Sequence, residues 1–105
     1  MSKSERRVEP RTETSFLAAE LRGKDIKFRR VRDISPGGFR VESVDSSPGE
    51  KLVMEFPLPG STVPIRVEGQ VTDRRGTGDL GVRIVDVERE RYALLIALPP
   101  PARGK

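Results

Sequence analysis

Apolar residues recur at every second position through the middle of this chain. Leu52, Met54, Phe56 and Leu58 form one such row, and Val63, Ile65, Val67, Gly69 and Val71 form the next, with Arg66, Glu68, Gln70 and Thr72 between them. Side chains alternate faces along a strand, so each row marks the buried face of a half-exposed β-strand. Leu80, Val82 and Ile84 begin a later strand, and Phe39, Val41 and Ser43 an earlier one. Upstream, residues 14–21 read as a first strand, with Phe16 and Ala18 on one face and Leu17, Ala19 and Leu21 on the other. Helix is the rival reading there, because Leu-Ala-Ala-Glu-Leu has good helix propensity. In residues 24–34, Ile26 and Phe28 alternate with basic residues until Arg29-Arg30 breaks the pattern before Val31 and Ile34. That slip predicts a β-bulge near Arg29 or Arg30. Alternation sends both Phe28 and Phe56 to the core.

Turn signals separate these runs. Ser35-Pro36-Gly37-Gly38 has Pro to fix φ and Gly to supply the positive φ of a type II turn. Gly23, the stretch Asp45-Ser46-Ser47-Pro48-Gly49, Pro59-Gly60 and the basic Arg74-Arg75-Gly76-Thr77-Gly78 mark the other breaks. Six short strands at this spacing predict an antiparallel sandwich or a small barrel. The period then changes to that of a helix over residues 87–98. Asp86 is placed to cap it, Glu88 and Glu90 suit its positive end, and Tyr92, Leu95 and Ile96 share a face. Pro99-Pro100-Pro101 stops it. Residues 1–13 are polar and show neither period, which predicts a flexible tail, and residues 99–105 are expected to be loose as well. Residues 14–98 form the single folded unit.

Composition narrows the chemistry. The 105 residues contain no Cys, His or Trp, which excludes disulfides, thiolate nucleophiles, the usual zinc sites and imidazole acid–base work. No catalytic carboxylate pair stands out, so an enzyme is not expected, and neither is a metal site. No window holds 18 apolar residues and no secretory signal is evident, so a cytoplasmic location is expected. The net charge is +4, and its excess lies in the segment up to Arg40. Arg far outnumbers Lys, and its planar fork suits bidentate contacts to phosphate or to a guanine edge. An anionic ligand is indicated. Asp33 and Ser35, two apart beside the bare backbone of Gly37 and Gly38, offer a polar edge to receive it.

Two motifs now stand in order: Arg7-Val8-Glu9-Pro10-Arg11, and Asp33-Ile34-Ser35-Pro36-Gly37-Gly38. With the strands, the late Leu80-Gly81-Val82-Arg83-Ile84 run and the terminal helix, the chain resembles a PilZ domain over residues 5–98. That family carries Arg-x-x-x-Arg and Asp/Asn-x-Ser-x-x-Gly motifs. The resemblance implies a mainly β fold: a six-stranded antiparallel barrel with a C-terminal α-helix, behind a flexible tail. It implies a receptor for cyclic di-GMP that signals to a partner protein, not yet identified. By the resemblance, Arg7 and Arg11 would engage phosphates and guanine O6 and N7, Asp33 would accept from a guanine Watson–Crick edge, and Ser35 would bond base or phosphate. Gly38, with Gly37, would let the ligand approach backbone N–H groups. Arg6, just before the first motif Arg, favours an intercalated pair of ligands over one. The stretch Val71-Thr72-Asp73-Arg74 lacks the aromatic that some members stack on guanine, leaving Arg40, Arg74 or Arg83 to stack through a guanidinium plane. Two alternatives stand beside this reading. One is a basic barrel that binds RNA or DNA, against which the lack of surface aromatics argues. The other is a degenerate PilZ interaction domain without ligand.

Overall fold

The computed structural model describes residues 12–42, 46–74 and 78–97. Of the expected tails at 1–13 and 99–105, residues 1–11, and with them Arg6, Arg7 and Arg11, and all of 99–105 lie outside the described residues, whereas Thr12 and Glu13 belong to the first strand. Six strands run in order: β1 (Thr12–Arg22), β2 (Asp25–Ser35), β3 (Gly38–Glu42), β4 (Lys51–Phe56), β5 (Ile65–Arg74) and β6 (Asp79–Val87), followed by α1 (Arg89–Ala97). All pairings are antiparallel, and they close as a barrel in the order β1-β2-β3-β6-β5-β4. The choice between sandwich and barrel is thus settled for the barrel, and the 14–21 run is strand, not helix. Tertiary pairing on both sides overrides the local helix preference of Leu-Ala-Ala-Glu-Leu.

The rows read from the sequence fill the interior: Leu52, Met54, Phe56 and Leu58 from one run, Ile65, Val67 and Val71 from the next, and Leu80, Val82 and Ile84 from β6. Phe56 sits at the centre of an aromatic cluster, edge-on to Phe16 at 5.5 Å and to Phe39 at 5.0 Å between ring centroids. Tyr92 of α1 joins it at 6.4 Å, and with Leu95 closes that end of the barrel. No helix among the described residues is long and apolar enough to cross a membrane.

Several local expectations are corrected. Phe28 is 68% exposed instead of buried. Val31 is fully buried, so a period of two puts Arg29 inward and Phe28 outward. The expected bulge near Arg29 or Arg30 lies further on: Val31 pairs with Val41 and Asp33 with Arg40, which leaves Arg32 as the extra residue. Only beyond Arg32 does the strand change phase, too late to turn Phe28 inward. The inward positions at this end are charged. Glu20, 2% exposed, receives Arg29 Nε at 3.0 Å and Arg22 Nε at 2.7 Å, and Arg22 also donates to Ser46 Oγ at 2.8 Å. Val63 is exposed and precedes β5. Asp86 belongs to β6 and does not cap α1; the Tyr92 amide donates to the carbonyl of Glu88, which opens the helix. Gly37 does not take positive φ, so the turn it shares with Pro36 is not type II.

Candidate functional site

Asp33 and Ser35 end β2, and Gly38 and Arg40 begin β3, with Ser35 directly across from Gly38 and Asp33 across from Arg40. A two-residue connection, Pro36-Gly37, therefore brings the whole second motif onto one corner of the barrel. Three bonds hold that corner. Ser35 Oγ donates to the Gly38 carbonyl at 3.2 Å, Tyr92 Oη donates to the Ser35 carbonyl at 2.7 Å, and the Ile84 amide donates to the Gly37 carbonyl at 2.8 Å. From α1, Arg89 Nη1 adds a bond to the Pro36 carbonyl at 2.6 Å. Helix and strand thus fix the turn from both sides.

Beside the turn opens a cleft of ≈260 Å³, lined by Ser35, Gly37, Gly38, Arg40 and Arg83 together with Thr72, Asp73 and Gly81. Asp33 lies just behind it, 6% exposed, with Oδ2 2.8 Å from Arg40 Nη2. Arg40 Nε is buried and has no hydrogen-bond partner among the described residues. Arg83 donates from Nη2 to Gln70 Oε1 at 2.8 Å. The cleft wall therefore carries the guanidinium groups of Arg40 and Arg83 and the Asp73 carboxylate, with the Asp33 carboxylate behind it and the buried Arg40 Nε–H unsatisfied among the described residues. No group of His, Cys, Asp or Glu among the described residues could hold a metal ion.

Of the residues singled out from the sequence, Ser35, Gly37, Gly38, Arg40 and Arg83 meet at this cleft. Asp33 reaches it through Arg40. Arg74 does not line it; its Nη2 is bound to the Ser46 carbonyl instead. Gly38 has a structural reason to be glycine, since a Cβ there would lie well under 3.0 Å from the Val82 carbonyl oxygen of β6. Thr72, Asp73 and Gly81 were not foreseen as lining residues. A Cβ on Gly81 would strike the Asp73 carboxylate, and Thr72 Oγ1 donates to the Gly81 carbonyl at 3.1 Å. A glycine inside the Leu80-Gly81-Val82 run was the available signal, because glycine within a strand marks a close approach.

The PilZ domain family model matches residues 5–98. Among solved structures, the Bacillus subtilis inhibitor of motility (MotI/DgrA) superposes with a TM-score of 0.68 at 22% sequence identity. The match covers 90% of this chain and 50% of that one, so the chain spans half the length of that protein. A search of curated proteins gave no match. The barrel, its closing helix and the motif at its corner agree with the family match over nearly the whole sequence, and the chain belongs to the PilZ domain family.

Proposed function

We propose that this domain binds cyclic di-GMP in the cleft beside the Pro36-Gly37 turn and presents the occupied surface to a partner protein. PilZ domains are a family of cyclic di-GMP receptors, working as binding and adaptor domains. The observation that carries the reading is the pairing of Asp33 with Arg40 at the cleft, where a buried Arg40 Nε–H has no acceptor among the described residues. An unsatisfied buried donor costs about 1–3 kcal/mol, and a ligand acceptor in the cleft would remove that cost. Asp33 would accept from the N–H groups of a guanine edge, with Ser35 and the backbone of Gly37 and Gly38 beside it. Arg40, sharing or yielding its carboxylate, would then lie against the base through its guanidinium plane.

Arg7 and Arg11 supply the remaining contacts to phosphates and to guanine O6 and N7. One charge-assisted hydrogen bond gives roughly 1.5–3 kcal/mol, while a micromolar complex needs about 8 kcal/mol. Several arginines must therefore act together with the corner. Arg6 adds a further cation and favours an intercalated ligand pair. As a receptor for a second messenger, the domain would work in the cytoplasm.

Calorimetric titration with cyclic di-GMP tests the reading and reports stoichiometry. A saturable heat is expected, lost in Arg7→Ala and Arg11→Ala variants whose unliganded melting temperature stays unchanged. No heat from a folded sample at high micromolar ligand would refute the proposal.

A further inference from the structure

The outward face of the β1–β2 hairpin is apolar where an isolated barrel would carry polar side chains. Cross-strand pairs set Leu17 beside Arg30, Ala19 beside Phe28 and Leu21 beside Ile26. Val53 of β4 lies next to Leu21 and extends the patch. Phe28 is 68% exposed, Ile26 59% and Leu17 51%. Single exposed apolar residues are ordinary, but a contiguous patch marks an interaction surface. Here β1 is hydrogen-bonded to both neighbours, so an incoming strand has no edge to extend, and the patch must be covered face to face.

We propose that a second copy of this chain docks on this face, forming an isologous dimer. Phe28, the largest outward side chain, stands directly across from Ala19, the smallest, so the patch holds a projection and a recess side by side. A two-fold axis parallel to the strands and running between β1 and β2 would set each Phe28 against Ala19 of the other copy. The same rotation sets Ile26 against Leu21 and the stem of Arg30 against Leu17. Charge follows the same symmetry. Glu55 of β4 is registered with Ala19 and has no ion-pair partner among the described residues. Each Arg30 would come to rest one strand across and two residues along from the other copy's Glu55, and the two long side chains can span that offset and the ~10 Å that separates packed sheets. Arg30 spends Nη1 on Ser15 and keeps further N–H groups for that carboxylate.

In the ring order β1-β2-β3-β6-β5-β4, β1 stands opposite β6. The docking face is centred on the axis between β1 and β2, opposite β6 and β5, and the cleft opens on β3, β6 and β5, so the dimer leaves the cleft open. Six apolar side chains make a smaller core than the about 800 Å² per side of a stable complex. The association is accordingly expected to depend on concentration in the micromolar range.

Sedimentation velocity of the full chain, from low micromolar to millimolar concentration and without ligand, tests the proposal. The sedimentation coefficient should rise reversibly from monomer to dimer. Phe28→Asp should raise the dissociation constant at least about tenfold with no loss of melting temperature, because the side chain is exposed. Ala19→Arg, which fills the recess, provides a second variant if the first folds poorly. Arg30→Glu should weaken the dimer, and Arg30→Glu combined with Glu55→Arg should restore it. A wild-type chain that stays monomeric to millimolar concentration would overturn the proposal, as would a dimer indifferent to Phe28→Asp and Ala19→Arg. Because no ligand is present, these outcomes are independent of whether cyclic di-GMP binds.

Discussion

Gly38 meets the backbone of β6 with no room for a methyl group, and Asp33 spends its charge on a residue of the next strand. These two positions therefore play different parts. Gly38→Ala should destabilise the free domain by about 1–3 kcal/mol, the usual cost of forcing an extra carbon into a packed site, and urea denaturation will measure it. Asp33→Asn should leave stability within about 1 kcal/mol, because the Arg40 side chain is 36% exposed and solvent screens the pair. Its effect is expected in ligand affinity instead. Loss of a charged acceptor worth roughly 1.5–3 kcal/mol corresponds to a tenfold to hundredfold weaker complex, read by titration. Glu20 differs from both, being buried between two arginines with no connection to the cleft. Glu20→Ala removes the buried carboxylate that Arg29 and Arg22 both bond, and about 3 kcal/mol of stability should go with it. That value is the low end for a broken buried pair, since Arg22 is 37% exposed and can turn to water.

At the scale of elements, α1 acts on the site through two side chains, the Arg89 guanidinium on the Pro36 carbonyl and the Tyr92 hydroxyl on that of Ser35. Tyr92 is 1% exposed, and its Oη reaches the carbonyl of Ser35 in the second motif. Tyr92→Phe keeps the ring within the aromatic cluster and removes the hydroxyl with its bonds to the Ser35 carbonyl and, at 3.4 Å, to that of Gly38, so thermal unfolding should register about 1 kcal/mol. The same variant should bind the dinucleotide more weakly, because the turn then keeps only the Arg89 bond to the helix of the two described above. The helix itself was legible from the period of Tyr92, Leu95 and Ile96. Its start was not, since the strand before it runs on to Val87 and takes Asp86 with it. The strands show the same division. Where both faces obey alternation, as in β4 and β5, the sequence indicated the buried row correctly. In β2 it did not. Ile26 and Phe28 look like an inward row until Val31 and the bulge at Arg32 are placed, and both depend on pairing with β3, a long-range fact absent from the local pattern. The lining residues Thr72, Asp73 and Gly81 went unseen for the same reason, since it is the register of β5 with β6 that carries them to the corner where β2 meets β3.

At the scale of the whole molecule, closing the ring makes the two barrel ends unlike. One end holds Phe16, Phe39, Phe56 and Tyr92 packed ring against ring, and the motif turn sits on it. The other end is filled by Glu20, Arg22, Arg29 and Ser46. Aromatic packing adds about 0.5–1.5 kcal/mol per pair beyond burial, whereas ionic interiors barely offset their own desolvation. Opening should therefore begin at the ionic end and travel toward the aromatic one. Amide hydrogen exchange is expected to be fast at Leu21 and Ile26, near the tip of the first hairpin, and slowest at Val41 and Val82. Equal protection at the two ends would contradict that order. The consequence concerns timing: the first hairpin can breathe many times while the corner beside Pro36 and Gly37 stays whole, so a bound nucleotide's lifetime would be set by its own contacts and not by unfolding of the floor beneath it.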